Sequence, residues 1–249
     1  MTLEEPRAAD GISPEALDYA MFGPEDHLKF VLQRSEILWD VKRPGRLVKA
    51  WTEGDAAPLE AAVAGKGAEI PARVVAEIGA EYRALMAALG APAPRRVADI
   101  GCGYGVFDLF AAREAGAEVI LIDIEANDRR HFGFAEQGAA YSDLSRAVAF
   151  LTRNGVPPEK VRALNPERDD LHAVGEVDLA VSLLACGFHF PVSAYMPFFE
   201  RNVAPGGRIV LDLREGQFAR QSEQLVPLGA LREIDRRGNR RRVVIEKEG

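Results

Sequence analysis

The sequence predicts a doubly wound α/β fold: a mostly parallel sheet ending in an antiparallel hairpin and preceded by a helical cap. Three observations carry this expectation. Apolar spacing is helical before about residue 90 and alternates between strand and helix after it. A breaker stretch, GAPAP at 90–94, separates the two regimes. The strand-like runs beyond it are apolar enough to be covered on both faces, as parallel strands are. Repeated β-then-α with short links implies right-handed crossovers between parallel strands.

The elements follow in order. In PEDHLKFVLQRSEILWDVK, residues Leu28, Val31, Leu32, Ile37, Leu38 and Val41 recur at spacings of three and four, so a helix with one buried stripe is expected. Pro24 sits near its start, where a missing N–H costs little. The segment RPGRLVKAWTEGDAAP reads as a connector with a short extended piece at 47–51, and a second helix is expected from Pro71 to the breaker. Beyond the breaker the spacing predicts a strand at 95–100, a helix at 106–116 and a buried strand at 117–123. A helix at 141–153, strands at 161–164 and 177–184, a helix at 193–202 and a buried strand at 207–213 follow. Two strand-like arms around Gly238-Asn239 then predict the closing hairpin. The organisation expected is a cap over residues 1–90 and an α/β domain over 91–249.

Composition narrows the function. The 249 residues are 47% hydrophobic and 28% charged, the profile of an ordinary globular protein. Against 31 Lys and Arg stand 38 Asp and Glu, a net charge of −7, so no global positive field exists to hold a phosphate backbone and no nucleic-acid partner is expected. No apolar run approaches the ~18 to 20 residues of a membrane span, and the acidic start lacks an apolar leader core, so no membrane partner and a cytoplasmic location are expected. Cys102 and Cys186 are too few for a disulfide framework. His27, His131, His172 and His189 show no close ligand spacing, so no metal site is expected.

The most specific stretch is VADIGCGYG, which places Asp99, Gly101, Cys102, Gly103 and Gly105 at the carboxyl end of the first expected strand. Ligands of doubly wound sheets bind outside those ends, where strand order reverses. Glycines there let the backbone turn sharply and let a ligand approach main-chain amides. The spacing is G-x-G-x-G, not the G-x-G-x-x-G of dinucleotide binders. An acid two positions before the first glycine would repel a pyrophosphate but suits a ligand bearing an ammonium group. Asp123 closes the second strand 20 residues after Gly103, where a carboxylate can accept both hydroxyls of a ribose. A plain strand-to-helix turn and a solvated strand end are the simpler readings of the same residues.

At these residues the sequence resembles the class I S-adenosylmethionine-dependent methyltransferases. DIGCGYG matches their first motif, Asp123 in LIDIE their acidic end of strand two, and APGGRIVLDLR (204–214) their turn and fifth strand. The resemblance spans about residues 95–249 and implies a seven-stranded, Rossmann-like sheet with S-adenosyl-L-methionine as cofactor. It implies that Gly101 and Gly103 pass under the donor's amino-acid portion, with Cys102 and Gly105 completing the loop. Asp99 would lie near the ammonium, Asp123 on the ribose and Ile124 against the adenine; Leu184, where the fourth strand ends, is counted with these donor-binding residues. In the loop after strand three, ALNPERDD offers Asn165 or Asp169 to the adenine amino group.

The acceptor side is written less clearly. Methyl transfer from a sulfonium is an in-line displacement, so positioning is the main task, and a hydroxyl acceptor must also lose its proton. After the fourth strand the chain reads LLACGFHFPVSAYMPF, without the Asn/Asp-Pro-Pro-aromatic signature of enzymes that methylate amino groups of nucleic-acid bases. His189, between Phe188 and Phe190, is a candidate general base or a histidine packed against aromatics. The polar loop EANDRRHFGF carries Asp128, Arg129, Arg130 and His131; it is either a solvated cluster or, if it lines the pocket, a second source of a base and a binder of carboxylate or phosphate. RRGNRRR in the hairpin reads as a solvated edge that discourages strand pairing, and both cysteines read as small packing residues. The stretches 139–156 and GFHFPVSAYMPFFE are similar to bacterial methyltransferases of sugars and other polyhydroxylated metabolites, which implies oxygen methylation of a small polar acceptor. Rival expectations are a nitrogen or carbon methyltransferase, a non-catalytic binding module and a nicotinamide-dependent oxidoreductase. The helical cap suits either a lid or a homodimer surface.

Overall fold

The computed structural model describes residues 11–125 and 143–248. Four helices precede the sheet: α1 (Pro24–Gln33), α2 (Pro44–Thr52), α3 (Ala57–Ala64) and α4 (Glu69–Leu89). The extended piece expected at 47–51 is corrected to helix α2. Pro44 opens its first turn, and Val48 and Trp51, three residues apart, are both buried, so one helical stripe faces the core despite the β propensity of both residues. The alanine-rich α3 has little amphipathic contrast and left no periodic signal. α4 begins two residues before Pro71, which occupies its first turn.

The second regime runs β1 (Arg96–Ile100), α5 (Val106–Glu114), β2 (Glu118–Ile122), α6 (Leu144–Arg153), β3 (Val161–Leu164), β4 (Val177–Ser182), α7 (Met196–Asn202), β5 (Val203–Arg214), α8 (Phe218–Leu225), β6 (Gly229–Arg237) and β7 (Arg240–Lys247). α6 starts where the Asp143 carboxylate accepts from the Arg146 backbone N–H at 3.1 Å; Tyr141, expected within it, lies outside the described residues. A short turn at Val192–Ala194 takes the place of the first residues expected in α7. α8 is a further helix whose polar sequence FARQSEQL gave little sign of it.

The strands form one seven-stranded sheet in the order β3-β2-β1-β4-β5-β7-β6. β1 to β5 are parallel, and β7 lies antiparallel between β5 and β6, so the doubly wound sheet and its closing hairpin are as expected. Ala98 of β1 stands between Ile120 and Ala180, which puts the end of β1 at the centre of the sheet, where strand order reverses. Alternate residues bury into two cores. Val97, Val119, Leu121, Leu179 and Val181 pack with α5, α6 and the N-terminal helices. Ala98, Ile100, Ile120, Ala180 and Ile209 pack with Phe198, Phe199 and Leu225 on the other face.

The N-terminal helices are therefore part of one core with the sheet. Phe22, Phe30, Tyr104 and Phe150 gather their rings with neighbouring centroids 4.5 to 5.3 Å apart. Beside them the buried Asp26 of α1 accepts from the Tyr104 hydroxyl at 2.7 Å and the Gly23 N–H at 2.8 Å, and pairs with Arg146. Tyr104 belongs to the glycine motif, so α1 is fastened directly to it.

The expectation of a solvated basic hairpin edge needs correction. β7 is an interior strand, and Arg240 and Arg242 are buried on the face that carries Val244. Their guanidinium groups reach Glu81 of α4 at 2.8 and 2.6 Å, and Arg242 also grips Asp212 of β5 at 2.7 and 2.8 Å. Two of the cluster's five arginines thus serve as the polar bolt between sheet and cap. Among the described residues no helix is long and apolar enough to cross a membrane.

Candidate functional site

β1 ends in Asp99 and Ile100, and the chain then turns through three left-handed glycines, Gly101 (φ 77°), Gly103 (φ 60°) and Gly105 (φ 70°). The end of β2 stitches this loop down: the Gly101 N–H donates to the Ile122 carbonyl at 2.7 Å, and the Gly103 N–H to the Asp123 carboxylate at 2.8 Å. At the two that line the cavity, a side chain would meet a neighbour at once. A Cβ on Gly101 would collide with that of Ala185, and one on Gly103 would lie 2.7 Å from Gln33 Oε1.

A cavity opens above this loop. Its floor is Asp99, Gly101, Cys102 and Gly103, with Asp123 and Ile124 from the end of β2 on one side. Leu183, Leu184, Ala185, His189 and Phe190 from the segment after β4 form the other side. Leu32, Gln33 and Arg34 at the end of α1, Ile78 of α4 and Phe107 of α5 cover it. Sequence reasoning missed this last group; the only signal was the apolar stripe of α1, which reports burial but not what it is buried against.

The wall after β4 is held in place by hydrogen bonds. Ser182 Oγ donates to the Ile100 carbonyl at 2.6 Å and accepts from the Cys186 N–H at 2.9 Å. Leu184, at a left-handed φ of 55°, donates its N–H to Asp212 at 3.1 Å. Arg214 Nε donates to the Phe188 carbonyl at 2.8 Å, with its guanidinium 4.4 Å from that ring, and Gln221 Nε2 donates to the Gly187 carbonyl at 2.7 Å. His189 sits edge-on to Phe188, its N–H bonded to the Ala185 carbonyl at 2.8 Å. A histidine so anchored at its backbone presents its ring from a fixed base.

The cavity floor is acidic, and its Asp99 is buried. Burial pushes Asp99 up to about 7, and the nearby Asp123 charge adds to the rise. Asp108, wholly buried on α5, is driven well above the carboxylate range by its own burial and by Asp99. Burial and mutual closeness thus favour the protonated form of both carboxyls, and a cation placed against Asp99 would favour its ionised form. Burial also raises the Cys102 and Cys186 thiols, which makes them packing groups rather than nucleophiles.

Several expected site residues lie elsewhere. Gly105 does not line the cavity but precedes α5 as its N-cap. Asn165 and Asp169 are engaged in the turn after β3, where the Asp169 carboxylate accepts from the Asn165 N–H at 2.8 Å, and neither lines the cavity. His131, with Asp128, Arg129 and Arg130, lies outside the described residues. His172 bonds Asn202 Oδ1 at 2.7 Å, away from the cavity, and no cluster of metal-ligating side chains occurs among the described residues.

The residues present fit a donor with a nucleoside and an amino-acid end. The glycine floor leaves space that side chains would fill, Asp99 is a buried acid with no ion pair among the described residues, and the Asp123 carboxylate stands beside the apolar Ile124.

No family model matches the sequence, and no curated protein matches it. Solved structures are similar to parts of the chain. The ribosomal protein L11 methylase of Lactobacillus delbrueckii subsp. bulgaricus is 18% identical over 67% of this chain and 77% of its own, with a TM-score of 0.48. A methyltransferase from Pyrococcus furiosus is 18% identical over 69% and 83%, with a TM-score of 0.47. An rRNA methylase from Streptococcus thermophilus is 16% identical over 69% and 96%, with a TM-score of 0.44. Likenesses this partial leave the function of the site to be argued from its own residues.

Proposed function

We propose that the chain is an S-adenosylmethionine-dependent methyltransferase acting on an oxygen of a small, polar, hydroxylated metabolite. The observation that carries this reading is the glycine floor tied to Asp123 at the centre of the sheet, with a buried acid below it and a histidine across from it. Gly101 and Gly103 would run under the amino-acid end of the donor, Asp99 would face its ammonium, Asp123 would accept from the ribose hydroxyls, and Ile124 and Leu184 would pack on its apolar parts. The donor, when bound, supplies an electrophilic methyl group on sulfur.

The remaining work falls to this chain. Because the displacement disperses charge, the rigid floor and the anchored wall after β4 contribute mainly by alignment. His189 would take the proton of the acceptor hydroxyl, a role worth about 10² to 10⁴ in rate. The cover formed by Leu32, Gln33, Arg34 and Ile78 favours a small acceptor over an extended polymer, as does the net charge of −7. The same cover favours a lid over a dimer surface for the helical cap.

Calorimetric titration with S-adenosylmethionine and S-adenosylhomocysteine, with NAD as control, tests the donor. Micromolar binding of both sulfur compounds with NAD silent is the expected result; binding of NAD alone would overturn it. Against an identified acceptor, His189→Ala should lose turnover while still binding donor. Full turnover in that variant, with loss in His131→Ala, would move the base to the other histidine.

A further inference from the structure

The cavity carries a feature that the glycine motif does not account for: a buried guanidinium from the cap. Arg34 follows directly on α1, is 8% exposed, and lines the cavity together with Asp99, Gly101 and Gly103. It is bonded to Glu81 at 2.7 Å and touches the more exposed Glu36 at 3.4 Å. Glu81 is shared, since the same carboxylate serves Arg240 at 2.8 Å and Arg242 at 2.6 Å. Asp212, the other buried carboxylate of the group, is gripped twice by Arg242.

Three buried guanidinium groups thus stand against two buried carboxylates. Glu36 and Asp235 reach the network from the solvent side, where water screens their share. A guanidinium offers five N–H donors in a planar fork, and Glu81 and Glu36 engage two of those on Arg34. Among the described residues no other acceptor meets its side chain. The positive charge left over faces the same cavity as the acid of Asp99, and the two lie within electrostatic reach of each other. A cavity with an acid on its floor and a cation in its cover complements a zwitterion, the α-amino-acid end of a ligand.

We propose that Arg34, flanked by Gln33, binds the carboxylate of the methyl donor, so that the N-terminal segment completes the donor site. This rests on the methyltransferase reading and adds a group from outside the sheet to it. A carboxylate arriving at Arg34 would offset the surplus buried charge through charge-assisted hydrogen bonds.

The test compares S-adenosylmethionine with its decarboxylated analogue, which keeps the sulfonium, the nucleoside and the ammonium. Calorimetry on the unaltered protein should show the analogue binding about ten- to hundredfold more weakly, the effect expected from losing a charged hydrogen-bonded pair. In Arg34→Gln the affinity for S-adenosylmethionine should fall by about the same factor, while that for the analogue changes less than about twofold. Equal binding of both compounds by the unaltered protein would overturn the proposal without any variant being made. Equal losses for both in Arg34→Gln would reduce Arg34 to a structural role, and if that variant unfolds, the same comparison in Arg34→Lys, which keeps the charge, decides. Failure of the unaltered protein to bind either compound would instead sink the methyltransferase reading.

Discussion

At the residue scale, two positions show how tightly the site is drawn. Gly101 holds a left-handed φ of 77° and has Ala185 where its Cβ would go. Gly101→Ala combines the left-handed penalty of about 1–2 kcal/mol with overpacking of about 1–3 kcal/mol. A loss of about 2–5 kcal/mol in urea unfolding is expected from that sum, and a loss below about 1 kcal/mol would mean the loop relaxes freely. Gly103→Ala meets the tip of the flexible Gln33 instead, so it should cost less stability while still narrowing the cavity and weakening binding of the proposed donor. The second position is Asp99, raised on folding from its ordinary 3.8 to about 7, chiefly by burial. The folded chain then binds the extra proton, so this contribution to stability is fully present below about 3.8 and is lost as pH rises through about 7. Thermal unfolding should show the unaltered chain losing ground to Asp99→Asn between pH 5 and 8. Parallel curves for the two would mean that Asp99 is already ionised in the fold at pH 5. Both glycines and the acid were legible in DIGCGYG, because the turn they make is local.

At the scale of elements, the hairpin and the cap show where local reading stops. RRGNRRR looks like a solvated turn because five like-charged side chains lie together in sequence. Strand alternation sends Arg240 and Arg242 to one face, and sheet order makes that face an interior one. What makes burial tolerable is Glu81, 159 residues away from Arg240 along the chain. Burial pushes the Glu81 carboxyl up, and Arg34, Arg242 and Arg240 outweigh it, holding it at about 2. Glu81→Ala leaves these cations facing one another in a buried place, and such losses run to about 3–5 kcal/mol. Denaturant unfolding should register this, whereas an exposed partner such as Glu53 of the Lys49 pair should give under about 1 kcal/mol when removed. The helices α2 and α3 escaped notice for a related reason: their periodicity is short or weak, and contact with the rest of the core decides them.

At the scale of the molecule, the change of period near residue 90 is real but does not separate two cores. Phe30, Trp51, Val74 and Tyr82 from the first regime share one cluster with Phe107, Phe110 and Leu121 from the second. A chain starting at residue 91 should therefore lose its cooperative thermal transition and expose apolar surface to a dye such as ANS. A sharp transition in that truncated chain would instead make the cap a separable unit.

The sequence by itself determined the sheet, its parallel strands and closing hairpin, the glycine floor and Asp123. Each depends on residues close together in the chain, through alternation, turn chemistry or a fixed spacing from a strand end. Only the tertiary structure decided that α1 covers the cavity, that Tyr104 is bonded to Asp26, and that Arg34 joins Arg240 and Arg242 around one carboxylate. Such pairings join partners 47 to 161 residues apart, and no local pattern encodes them. They are fixed when the helices dock and buried charges must find partners in whatever the fold brings near.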